Sequence, residues 1–107
     1  MSEKKASKKQ IKKAKPSMTP TMYMDHDEKN YYIQVELPGV KKEDATLEVS
    51  DQSLCVRGTR ADVELSGCYI LAHAVNGENA KAKFENGLLS VEIPIKKILK
   101  GKKVPIE

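Results

Sequence analysis

Residues 31–40 read Tyr-Tyr-Ile-Gln-Val-Glu-Leu-Pro-Gly-Val, and this stretch decides the fold class. Tyr31, Ile33, Val35 and Leu37 alternate with Tyr32, Gln34 and Glu36. A repeat of two puts all four apolar groups on one face, which is the pattern of a half-buried strand. Pro38-Gly39 closes the run, because proline has no amide hydrogen for a ladder and glycine readily takes up turn geometry.

The same period returns along the chain. Ala45, Leu47 and Val49 alternate with Thr46, Glu48 and Ser50. Asp51-Gln52 forms a tight connection, after which Leu54 and Val56 face one way and Cys55 and Arg57 the other, up to Gly58. Residues 59–66 are polar and read as a loop. Residues 68–75 read as a further strand, less cleanly alternating. Asn76-Gly77 is a turn signal. Ala80, Ala82 and Phe84 then alternate with Lys81 and Lys83, and Asn86-Gly87 is a hairpin signal. Leu89, Val91, Ile93 and Ile95 alternate with Ser90, Glu92 and Pro94. Short strands at close spacing, with no helical period between them, predict an all-β antiparallel sandwich or barrel. One apolar face per strand fits two sheets packed face to face, and the uncovered sheet edges become pairing sites for another chain.

The 107 residues suffice for one domain with tails, and the charge divides them in three. Residues 1–17 carry seven lysines against one glutamate and read as a disordered arm. Residues 18–95 are acidic, with seven basic against thirteen acidic side chains. Residues 96–107 carry five lysines against Glu107. Lysines without arginine or interleaved aromatics lack base-reading and stacking chemistry, so no specific nucleic-acid partner is expected. No apolar run approaches the ~20 residues that cross a bilayer, so no membrane partner is expected either. The first residues lack the apolar stretch of a secretory signal, and a soluble, cytoplasmic protein is the expectation. In that reducing setting Cys55 and Cys68 are expected as two partly buried thiols.

Motifs of catalysis are sparse. No phosphate loop of the Gly-x-x-x-x-Gly-Lys-Ser/Thr kind occurs, which argues against ATP-driven work. No nucleophile elbow or zinc-binding His-Glu-x-x-His pattern occurs. Asp25-His26-Asp27-Glu28 offers oxygen and nitrogen ligands, yet a solvated turn between strands explains the same residues. Cys55 and Cys68 have no metal-ligand spacing. The sequence therefore predicts neither an enzyme nor a cofactor.

Three features resemble a known family. Glu36-Leu37-Pro38-Gly39-Val40 followed by Lys42-Glu43-Asp44 looks like the opening of the α-crystallin domain of small heat-shock proteins. Ala82-x-x-x-Asn86-Gly87-x-Leu89 with Val91-x-Ile93-Pro94 is similar to its closing signature. Val104-Pro105-Ile106 sits where the family carries its C-terminal I-x-I/V motif, and proline biases this segment towards an extended form with Val104 and Ile106 on one side. The resemblance runs across about residues 20–107, and it is the order of the three features that makes it specific.

The resemblance implies an immunoglobulin-like β-sandwich at residues 18–95, with residues 1–17 as arm and 96–107 as extension. It implies an ATP-independent holdase that binds unfolding clients and assembles with itself through a dimer. It implies that Val104, Pro105 and Ile106 dock in a groove formed by Leu47, Val49, Ala82 and Phe84, positions that core packing would equally explain. The segment between Arg60 and Cys68 is too short for the long swapped loop of many bacterial and plant members. Edge-to-edge pairing through Cys68, Tyr69, Ile70, Leu71, Ala72, His73 and Ala74 is the expected alternative. The family's usual arginine is missing from residues 68–75, and the arm lacks its usual apolar residues. A monomeric adaptor of the CS-domain type, with the same sandwich, is the second reading.

Overall fold

The computed structural model describes residues 15–107, so most of the expected arm, residues 1–14, lies outside the described residues. Nine strands follow in order. They are β1 (Ser17–Met18), β2 (Thr21–His26), β3 (Asn30–Glu36), β4 (Ala45–Ser50), β5 (Ser53–Arg60), β6 (Val63–Ile70), β7 (Ala74–Val75), β8 (Lys81–Glu85) and β9 (Leu88–Lys97). Short 3-10 turns at Lys42–Asp44 and Gly77–Asn79 complete the list. The strands form two sheets, one ordered β1-β6-β5-β4 and the other β2-β3-β9-β7, with β8 also paired to β9. This is an all-β sandwich of two sheets, one of the two architectures that the alternation predicts and the one that the resemblance implies as immunoglobulin-like.

Alternation builds the core. Tyr31, Ile33 and Val35 of β3 face Leu89, Val91 and Ile93 of β9 in register, and all six are buried. From the opposite sheet come Leu54 and Val56 of β5 with Val63 and Leu65 of β6. Fully burying side chains of this size is worth roughly 1.5–3 kcal/mol each before ordering costs. Apart from tyrosine, no residue with a charged or polar side chain is buried among the described residues.

The turns follow from residue chemistry. Asn86 and Gly87 both have positive φ, 50° and 76°, which suits the two-residue hairpin turn joining β8 to β9. Gly39, at φ 78°, turns the chain out of β3. At the β2–β3 turn, Asp27 Oδ1 accepts the backbone N–H groups of Lys29 and Asn30, both at 2.7 Å. These contacts, the Asn30 N–H foremost, hold the Asp27 carboxyl below its ordinary value. The acidic cluster at residues 25–28 is thus the end of β2 and a turn.

Three readings are corrected. Residues 59–66 are not a loop: β5 and β6 pair directly through Arg60 and Val63, and only Ala61-Asp62 connects them. Residues 68–75 are not one strand. β6 ends at Ile70, and the chain then crosses to the other sheet, where β7 pairs with β9. Leu71 is fully buried at this crossing and exchanges two hydrogen bonds with Gln52, at 2.9 and 3.0 Å. Finally, Cys55 and Cys68 are not thiols. They lie directly opposite on β5 and β6, with Cα atoms 4.1 Å apart, and are joined in a disulfide.

Candidate assembly surfaces

β4 and β8 are edge strands of different sheets, and a groove opens between them. Its lining includes Lys42, Leu47 on β4, Ala82 and Phe84 on β8, and Leu89 on β9, with a volume of about 200 Å³. Leu47 and Phe84 are half-buried, and Ala82 is exposed. Val49, named with them from the sequence, is farther along β4 and stands against Gly77, outside this lining. Strand parity could not make this distinction, because all three β4 residues, Ala45, Leu47 and Val49, point the same way.

The C-terminal extension leaves β9 at Lys97. The backbone N–H of Leu99 donates to Nδ1 of His73 at 3.0 Å, which ties the root of the extension to the crossing segment. Beyond it, Val104 and Ile106 are 77% and 98% exposed, so neither packs on the sandwich of its own chain.

The outer edge of β6 is covered only in part. β1 runs parallel to it at Glu64 and Leu65, and the N–H of Glu64 donates to the Pro16 carbonyl. Among the described residues no strand lies beside residues 66–70 on that side. Ile70 projects from the end of this edge at 86% exposure. Tyr69 turns inward, and its hydroxyl is buried with no hydrogen-bond partner among the described residues.

Of the seven residues expected on one pairing edge, Cys68, Tyr69 and Ile70 are on the part of β6 that β1 leaves uncovered. Leu71, Ala72, His73 and Ala74 are not, since Leu71 is in the core, Ala74 pairs with Lys97, and the His73 N–H donates to the Tyr31 hydroxyl. The sequence reading missed residues 66–67 of this edge. Val63 and Leu65 alternating with Glu64 and Ser66 carried the signal.

A larger depression of about 500 Å³ crosses the outer face of β2, β3, β9 and β8. Tyr23 and Tyr32, 57% and 42% exposed, stand on it beside Lys81 and Glu92. The described residues hold no group of three metal-ligating side chains, and no helix among them is long and apolar enough to cross a membrane.

A family model described as the Hsp20/alpha crystallin family matches residues 23–107. Small heat shock protein C4 of Rickettsia felis is 27% identical over 105 residues, covering 83% of this chain and 64% of that protein. The probable 15 kDa heat shock protein of Leptospira interrogans is 23% identical over 99 residues, covering 79% and 76%. The chain thus spans less than two thirds of the first relative's length. Among solved structures, heat shock protein 16.0 of Schizosaccharomyces pombe superposes with a TM-score of 0.67 at 24% identity, covering 88% of this chain and 78% of its own. A small heat-shock protein of Xylella fastidiosa, which has a distinct high order structure, gives 0.63 at 14% identity, covering 83% and 96%. At these identities the structural likeness is one of fold.

Proposed function

The chain belongs to the Hsp20/alpha crystallin family, whose members are small heat-shock proteins with a chaperone role, and from that premise we propose that it is an ATP-independent holdase. It captures unfolding proteins on apolar surface and keeps them from aggregating, in the cytoplasm, without nucleotide or other cofactor. The observation that carries this reading is the pairing of an exposed apolar motif with an open apolar groove. Val104 and Ile106 stand free on the extension, while Leu47, Ala82 and Phe84 line a groove between two sheet edges.

Docking of one chain's Val104-Pro105-Ile106 in another chain's groove would bury two branched side chains. That is worth roughly 3–5 kcal/mol before the cost of ordering the tail. The net is small, as a latch that opens on warming or on subunit exchange requires. Edge pairing through residues 66–70 of β6 supplies the second contact between copies. Surface released at grooves and edges then serves the client.

The test is light scattering from a heat-aggregating model substrate, with this protein and without ATP. Suppression at near-stoichiometric ratios is the expected result. A folded protein that leaves aggregation unchanged would overturn the holdase reading and favour the monomeric adaptor. Sedimentation of Val104→Gly/Ile106→Gly tests the latch, and an unchanged mass would remove its docking role.

A further inference from the structure

We propose that Cys55–Cys68 is a reversible thiol–disulfide exchange site, opened by a low-molecular-weight thiol of the glutathione class while the sandwich stays folded. Three observations on the outer face of β4, β5 and β6 converge on it.

The first is access. Leu54 and Val56 point into the core, so Cys55 between them points outward, and Cys68 opposite it is exposed. Both cysteines line an open depression of about 490 Å³ on this face, together with Glu48 and Arg57. A thiolate can therefore approach without local unfolding, which is the condition a buried structural bond fails to meet.

The second is redundancy. The bond joins strands that already pair over eight registered positions, from Ser53 with Ile70 to Arg60 with Val63. Leu54, Val56, Val63 and Leu65 hold the same strands on the core side. Neither set of contacts depends on the sulfurs, so opening the bond leaves the hairpin in place.

The third is charge. Arg57 lies two residues from Cys55 on the same face, and Glu48 lies directly across from Cys55 on β4. The Arg57 guanidinium favours a thiolate at Cys55 and attracts the carboxylates of glutathione, while Glu48 opposes both and moderates the effect. Arg57 also approaches Glu64 at 3.5 Å, and with Arg57 63% exposed this contact leaves the cation accessible.

The chemistry balances with the thiol as the only co-reactant. A glutathione thiolate attacks Sγ of Cys68, the more exposed residue of the pair; the S–S bond breaks and Cys55 leaves as a thiolate. A second thiolate attacks the glutathione sulfur of the mixed disulfide. Cys68 is released, both cysteines take up protons, and oxidised glutathione carries away the two-electron oxidation. Where the edge pairing proposed above holds, the site flanks that edge, but the exchange itself does not rest on that pairing.

The test incubates the full chain in a series of glutathione redox buffers at neutral pH, quenches with acid, alkylates with iodoacetamide and weighs the intact protein. Expected are zero labels in oxidised buffer, two in reduced buffer, recovery of the unlabelled form on return to oxidised glutathione, and an unchanged β circular dichroism throughout. Arg57→Gln should slow the first exchange several-fold without altering the spectrum. Labelling that appears only after urea unfolding, loss of the β spectrum on reduction, or thiols that fail to close again would each overturn the proposal. Self-association, read separately by sedimentation in each buffer, distinguishes failure of the edge pairing from failure of the exchange site.

Discussion

Leu37 donates its backbone N–H to the carbonyl oxygen of Gly87 at 2.7 Å, across 50 residues of chain. The Leu-Pro-Gly turn after β3 and the Asn-Gly turn between β8 and β9 are therefore one structure. Arg60 joins it from the end of β5, hydrogen-bonding through its guanidinium to the Pro38 carbonyl and to Asp62. Two motifs that look independent in the sequence meet at one end of the sandwich, beside the groove that Phe84 lines.

Gly87→Ala should destabilise the fold by about 1–2 kcal/mol, the cost of a left-handed backbone for a residue with a Cβ. The Cβ would also lie 3.2 Å from the Leu37 carbonyl oxygen, against the turn just described. Gly101→Ala, with nothing within 4 Å, is the control and should be neutral. Urea unfolding midpoints of the two variants measure the difference.

Two tyrosine-to-phenylalanine changes should have opposite signs. The Tyr31 hydroxyl accepts the His73 N–H at 3.1 Å, and Tyr31→Phe orphans that donor at a loss of about 1–2 kcal/mol. The Tyr69 hydroxyl is buried without a partner among the described residues, so Tyr69→Phe removes an unmet polar group and should raise stability by about 1 kcal/mol. Thermal unfolding of both variants gives the comparison, and the same sign in both would show that the hydroxyl environments are misread.

Ile70→Glu should leave stability within about 0.5 kcal/mol, since the side chain is 86% exposed. It should weaken self-association by placing a charge at the free end of the β6 edge. Sedimentation at several concentrations, compared with unfolding curves, separates the two effects. Unchanged association would remove this edge from the assembly.

Stability should fall in acid, in part through Asp27 and Asp62. The Asn30 N–H and the Arg60 guanidinium, respectively, hold these carboxyls below their ordinary value of 3.8. A depressed carboxyl contributes stability that is present above 3.8 and is lost as the pH falls through its lower folded value. Unfolding curves taken from neutral pH downward should therefore show a shallower acid decline for Asp27→Asn and Asp62→Asn than for the parent.

Sequence alone determined what is set within a few residues. The alternation of Tyr31 to Leu37 and of Leu89 to Ile95 marked two central strands, because a buried face imposes its period of two on every residue. Asn86-Gly87 marked its hairpin, because few pairs tolerate positive φ twice. The tail motif and two flanking signatures marked the family. Tertiary structure decided the rest. Ala61-Asp62 carries no such turn signature, so the β5–β6 hairpin and the register that sets Cys55 against Cys68 became visible only in the ladder. Residues 68–75 kept their parity while changing sheets, because both sheets share one core and Tyr69, Leu71 and Val75 are drawn into it from either side. An alternating pattern reports which side chains the core takes, and it is silent on which strand lies alongside; that is why only the folded chain distinguished groove, edge and crossing.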